Sequence, residues 1–252
     1  MRRTILLLST MTLTLLVASG VALAINKIGT DGPDTLRGTN GDDNLLGKSA
    51  NDVLYALGGM DNLLGAEGKD WLLTGERRAL AGNKVSAGGP GNDGVAGGLG
   101  LDTVLGGSGN DFVFGDKGSD RAVAGGDGRD LIDGFAGSDR MLGEGGGDLL
   151  VDGPIGESSK DDLLSGGEGD DILIGDHVPA VKDIVSCGGG LDRVIADTKD
   201  VVSDTCEKVR VVHGSKKEVL KQEDAFFKSL PPAQRKFFDT FFDEQLAPFP
   251  NG

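Results

Sequence analysis

Along most of the chain the polar and apolar positions repeat every nine residues. An aspartate marks each repeat, and the residue two places after it is apolar every time. The markers are Asp34, Asp43, Asp52, Asp61 and Asp70, then Asp93, Asp102, Asp111, Asp120, Asp130, Asp139 and Asp148, with one extra residue before Asp130. Asp162, Asp171, Asp183 and Asp192 continue the series more loosely. Their apolar followers are Leu36, Leu45, Leu54, Leu63, Leu72, Val95, Val104, Val113, Ala122, Ile132, Met141, Leu150, Leu164, Leu173, Val185 and Val194. Three residues after each aspartate suffice for one short strand whose middle side chain points inward. Such a strand cannot stand alone, so successive turns must stack and bury those side chains as a ladder. Glycine two residues before the aspartate, as at Gly59 and Gly109, permits the positive φ of a tight turn. Two nonapeptides make a coil of about eighteen residues. The pattern predicts an all-β chain: a parallel β-solenoid with turns on both edges and a thin apolar seam between.

The regularity breaks in places. Ala50 and Lys160 stand where the turn glycine belongs, and Lys182 adjoins Asp183, which makes these three turns the weakest of the series. Residues 74–87, with Arg77, Arg78 and Ala79, show no usable unit, and residues 152–161 and 175–182 interrupt again. The breaks allow two architectures, a roll in segments or one roll with loops bulging from its edge.

Both ends differ from the body. Arg2 and Arg3 precede the apolar stretch Ile5 to Val17, and Ala22-Leu23-Ala24 supplies a small-x-small cleavage pattern. Residues 1–24 are therefore expected to be a signal peptide, the mature chain starting at Ile25 with no membrane span. An uncleaved anchor is the competing reading of the same stretch. Residues 25–209 form the roll, and residues 210–252 a helical tail. There Ser215-Lys-Lys-Glu218 is a capping box opening a helix to about Ser229. Pro231-Pro232 starts a second helix with Phe237, Phe238, Phe241 and Phe242 on one face, giving a small C-terminal α-helical hairpin. The hairpin has three candidate uses: covering the roll, protein contact or self-association through its phenylalanines, and binding a membrane surface.

Composition narrows the chemistry. Of 252 residues, 44 are glycine, and 40 acids outnumber 25 basic side chains for a formal charge of −15. No G-x-y triplet runs through the chain, which excludes collagen. The acidity argues against nucleic acid, whose binders need a basic surface. Stacked aspartates repel one another unless cations sit among them. Carboxylate and carbonyl oxygens at about 2.3–2.6 Å are what calcium prefers.

The pattern G-G-x-G-x-D-x-apolar-x, clearest at residues 106–114 and 166–174, resembles the repeats-in-toxin (haemolysin-type) calcium-binding family. The resemblance spans residues 29–195 and implies a parallel β-roll whose turn aspartates and carbonyls bind Ca2+. It extends that role to all sixteen marker aspartates named above, each cation lying between repeats n and n+2. The uninterrupted runs would hold about eight ions. Cys187 and Cys206 are nineteen residues apart, so they should fall on neighbouring coils at the roughly 4.8 Å strand spacing. That suits a disulfide clipping the last coil. The segment from Cys187 to Glu207 also resembles the closing run of secreted bacterial members of this family.

These features point to a secreted, extracellular calcium-binding protein with a structural or interaction role. An adhesin or other recognition surface is the alternative, although the position after the aspartate (Thr35, Asn44, Val53, Asn62, Trp71) forms no regular outward array. A hydrolase accessory module ranks lower. The chain has no H-E-x-x-H and no G-x-S-x-G, so it is not expected to be an enzyme.

Overall fold

A computed structural model describes residues 24–74, 83–153, 160–232 and 235. The leader and the second tail helix with its four phenylalanines lie outside them, as do Arg77, Arg78 and Ala79. The chain winds as a parallel β-solenoid of two ten-stranded sheets. One sheet begins with Asn26–Ile28 and Asn44–Ser49 and ends with Val201–Val202; the other begins with Thr35–Arg37 and ends with Lys208–Val211. Consecutive strands alternate between the sheets, so each coil contributes one strand to each. Register advances by one coil: Leu45 pairs with Leu63, and Leu54 with Leu72.

The strands after the second-sheet aspartates have the expected three residues, as in Phe112–Phe114, lengthening to four at Ile172–Gly175 and Arg193–Ala196. Those of the first sheet run to six or seven, as in Thr103–Ser108, because they continue into the glycines of the next turn. Gly107 there pairs with Gly89 and with Gly126. A Cβ at Gly107 would lie over the Gly89 carbonyl, so only glycine allows the coils to stack this closely.

Between the sheets runs a single file of apolar side chains, among them Leu54, Leu72, Val104, Val113, Ile132, Met141, Leu150 and Leu173, all at 0% exposure. One expected member is displaced. Arg121 is the extra residue before Asp130, and it shifts the strand so that Val123 enters the seam in place of Ala122. Valine fills that layer better than alanine, and the bulge costs one unpaired residue.

The interruptions do not divide the stack. The strand Val85–Pro90, which begins inside the stretch 74–87 expected to hold no unit, forms a full coil strand, Ser86 pairing with Leu63 and Val104. Its marker is Lys84 and its inward residue Ser86, two departures that together hid it. Counting nine residues back from Asp93 would have found it. The result is one continuous roll, with both sheets running through the interruptions.

At the C-terminal end the last coil is clipped by the Cys187–Cys206 disulfide, with Cα atoms 5.1 Å apart. A helix then runs from Lys216 to Ser229, where the Glu218 carboxylate accepts the Ser215 N–H at 2.8 Å. It turns Val219 and Phe226 onto the outer face of the second sheet, against Leu149, Ile172, Ile174 and Ile195. No helix among the described residues is long and apolar enough to cross a membrane.

Candidate metal ladders

The turns bring the marker aspartates into two files, one on each edge of the roll. On the first edge lie Asp43, Asp61, Asp102, Asp120, Asp139, Asp162 and Asp183. On the second lie Asp34, Asp52, Asp70, Asp93, Asp111, Asp130, Asp148, Asp171 and Asp192. Fifteen of the sixteen are buried, Asp34 at the open end being the exception.

The carboxylates are held by the backbone of the preceding coil. Oδ1 of Asp111 accepts the Asp93 N–H at 2.7 Å, and Oδ1 of Asp130 accepts the Asp111 N–H at 2.8 Å. The same bond recurs along both files, from Asp43 to Asp61 and from Asp102 to Asp120. It fixes each side chain in one rotamer and leaves Oδ2 directed into the turn. For thirteen of the aspartates, Oδ2 is buried with no hydrogen-bond partner. A buried charged oxygen without a partner is costly, so these atoms require a cation or a proton.

The geometry of the turn shows where that cation belongs. A methyl group placed on Gly106 would sit 2.6 Å from Asp111 Oδ2 and 2.5 Å from the carbonyl oxygen of Gly125 on the next coil. On the other edge, Gly115 stands in the same relation to Asp120 Oδ2 and the Gly134 carbonyl, at 2.5 and 2.9 Å. Gly47, Gly65, Gly88, Gly143 and Gly166 likewise border a place where a carboxylate oxygen and a carbonyl oxygen of the adjacent coil converge. These are all hard oxygen donors, and they fit calcium. When bound, the ion would neutralise the stacked carboxylates and join one coil to the next.

The cation-free files carry a visible electrostatic strain. Burial pushes Asp93, Asp111, Asp130, Asp139 and Asp171 up to about 7, and Asp120 and Asp148 up to about 8. The N–H bonds oppose this rise and neighbouring carboxylates reinforce it.

Some members differ. Thr30 and Thr39 replace the second glycine of their turns, and their N–H groups donate to Asp34 Oδ2 and Asp43 Oδ2, each at 2.5 Å. These two carboxylates are satisfied without a metal. Ala50 adopts the positive φ of the missing glycine, at 73°, so Asp52 keeps its place in the file.

On the first edge, Lys84 occupies an aspartate position. Its side chain is buried, its Nζ donates to the Leu99 carbonyl at 3.1 Å, and its N–H donates to Asp102 Oδ1 at 2.7 Å. The ammonium also counteracts the burial that raises Asp61 and Asp102.

Both files extend past the predicted repeats. Asp200 Oδ1 accepts the Asp183 N–H at 3.0 Å, and Glu207 Oε2 accepts the Asp192 N–H at 2.9 Å. The eight-residue step from Asp192 and the use of glutamate kept them out of a strict nine-residue register.

The family model of the RTX calcium-binding nonapeptide repeat matches residues 28–63, 37–72, 87–122, 123–150 and 158–176, together just over half of the chain. No curated protein matches it. RTX repeats bind calcium through aspartate-rich turns.

Proposed function

The chain belongs to the RTX calcium-binding nonapeptide repeat family, and from this premise we propose that it is a secreted, non-catalytic protein whose roll folds as calcium enters the two aspartate files. The observation that carries this reading is the row of buried Oδ2 atoms without partners, those of Asp52, Asp70, Asp93, Asp111, Asp120, Asp148 and Asp171 beside a carbonyl of the next coil. Asp52, Asp61, Asp70, Asp93, Asp102, Asp111, Asp120, Asp130, Asp139, Asp148, Asp171 and Asp192 are the proposed ligands. Asp34 and Asp43 are secondary because threonine N–H groups already serve them.

Without metal, the files are rows of buried like charges that the thin seam must overcome. With metal, binding energy becomes folding energy. A low-calcium interior would then favour the expanded chain and a calcium-rich exterior the roll. The disulfide fits an oxidising exterior. Cleavage after Ala24 would deliver a roll domain over residues 25–209 and a tail over 210–252, with the role of the roll structural.

Circular dichroism of residues 25–252 during a calcium titration tests this reading. β structure should rise with a midpoint of roughly 10⁻⁴–10⁻³ M, the range of extracellular modules. Magnesium should substitute poorly, because its octahedral shell tolerates these carbonyl turns less well. A chain fully folded in chelator at neutral pH would overturn the proposal.

A further inference from the structure

One turn of the first edge has different chemistry. Gly175 and Asp183 are eight residues apart, where Gly115 and Asp120 are five apart. The turn is correspondingly wide: a methyl on Gly175 would lie 3.5 Å from Asp183 Oδ2. The imidazole of His177 enters this space, with its side chain only 2% exposed. Its Nε2 lies 3.0 Å from the Asp152 carbonyl oxygen, and its Nδ1 lies 3.4 Å from Asp183 Oδ2. Asp152, His177 and Asp183 each place a ligating atom within 4.8 Å of the other two.

The bond to a carbonyl decides the tautomer. Nε2 must carry the proton that it donates to Asp152, which in the neutral ring leaves a lone pair on Nδ1. Neither Nδ1 nor Asp183 Oδ2 makes a hydrogen bond. With the ring protonated, Nδ1 and Asp183 Oδ2 are a buried ion pair; with the ring neutral they are two acceptors facing each other, and a metal cation fits between them. Two ligands at about 2.0–2.1 Å from a tetrahedral ion are about 3.4 Å apart, which matches the observed spacing. An imidazole whose other ring N–H is held by a backbone carbonyl is also oriented as metal-bound histidines usually are.

We propose that Asp152, His177 and Asp183 form a binding site for one zinc-class divalent ion, separate in kind from the calcium files. A nitrogen donor selects such an ion over calcium, which takes oxygen ligands. Two carboxylates and a neutral imidazole are balanced by a single dication.

The full chain, folded in saturating calcium at neutral pH, is titrated with Co2+ and then with Zn2+. One equivalent of Co2+ should bind with the visible absorption of a tetrahedral site, and Zn2+ should displace it. His177→Ala and His177→Gln should weaken zinc binding by about 100-fold or more, beyond the 10–100-fold typical of losing an outer-shell partner. His213→Ala, at the exposed second histidine, should leave it unchanged. Should the His177 variants fail to fold, 15N NMR of the wild-type chain reads the same question. Zn2+ must then shift Nδ1 of His177 while Nε2 keeps its proton. Zinc binding that survives the His177 substitutions, or an imidazole protonated on both nitrogens in the presence of Zn2+, would overturn the site.

Discussion

The two edges of the roll are built from the same repeat and differ in what they tolerate. On the second edge, from Gly47–Asp52 to Gly166–Asp171, every turn has the same length, and the file of carboxylates is unbroken. The first edge receives the three long connections, between Leu73 and Val85, Val151 and Leu163, and Gly175 and Ile184. It is also where Lys84 interrupts the aspartates and where His177 enters a turn. One regular edge is enough to hold register, because each strand is fixed by its neighbours in both sheets. The other edge can then absorb insertions and acquire new side chains.

Acidity should produce the largest effect on this comparison, since it acts on both files at once. In the folded, metal-free chain burial pushes Asp61 up to about 6, Asp93 to about 7, and Asp120 and Asp148 to about 8, above the ordinary value of 3.8. The folded state therefore holds protons that the unfolded chain releases. Stability without metal is greatest below about pH 4 and declines as pH climbs toward 8. In chelator, circular dichroism should show β structure increasing as pH falls from about 8 to 5. In calcium the same acidification should weaken metal binding, because protons compete for Oδ2. A metal-free chain whose β content rises with pH would contradict this sign.

Single aspartates should separate the edges. Asp111 is bonded in series with Asp93 and Asp130, so Asp111→Ala removes an oxygen from two adjacent sites. Asp61 has Asp43 on one side and Lys84 on the other, and Asp61→Ala should affect only one. Calorimetry should record a loss of about two ions for the first variant and about one for the second. Equal losses would mean that the files do not bind in series.

The smallest change is expected at Lys84. Lys84→Asp restores the missing carboxylate beside Asp61 and Asp102. It should add about one calcium equivalent and make folding more dependent on calcium, because the resident ammonium is gone. A stoichiometry that stays the same would show that the interruption has another cause.

The sequence made the coil, the seam and both files legible because each rests on a strict spacing. Aspartate, glycine and an inward aliphatic recur together, and stacking them leaves few choices. Where a residue departed from the spacing, its place was hidden. Lys84 and Ser86 broke both halves of the signature at once, and Arg121 moved the inward position from Ala122 to Val123. His177 lies in an interruption, outside every repeat unit. Its partners Asp152 and Asp183 lie 25 and 6 residues away, and only the winding of the roll brings Asp152 to it. The helix at Lys216–Ser229 was legible through its cap, whereas its docking on Leu149, Ile172 and Ile195 depended on the shape of the finished sheet.

The strand pairing, in which each coil touches only the one before and the one after, has a mechanical consequence. Pulled from its ends, the stack is braced only where the helix Lys216–Ser229 covers its later coils, and the coils before them should come apart one at a time. Each released coil of about 18 residues would lengthen the chain by roughly 60 Å. Among the described residues, the strand Asn26–Ile28 has a neighbour on one side only and would yield first. At the opposite end the bond between Cys187 and Cys206 withholds the loop it closes, so that coil adds little length when it opens. The roll should therefore unravel with a direction, from its N-terminal coil toward its clipped end.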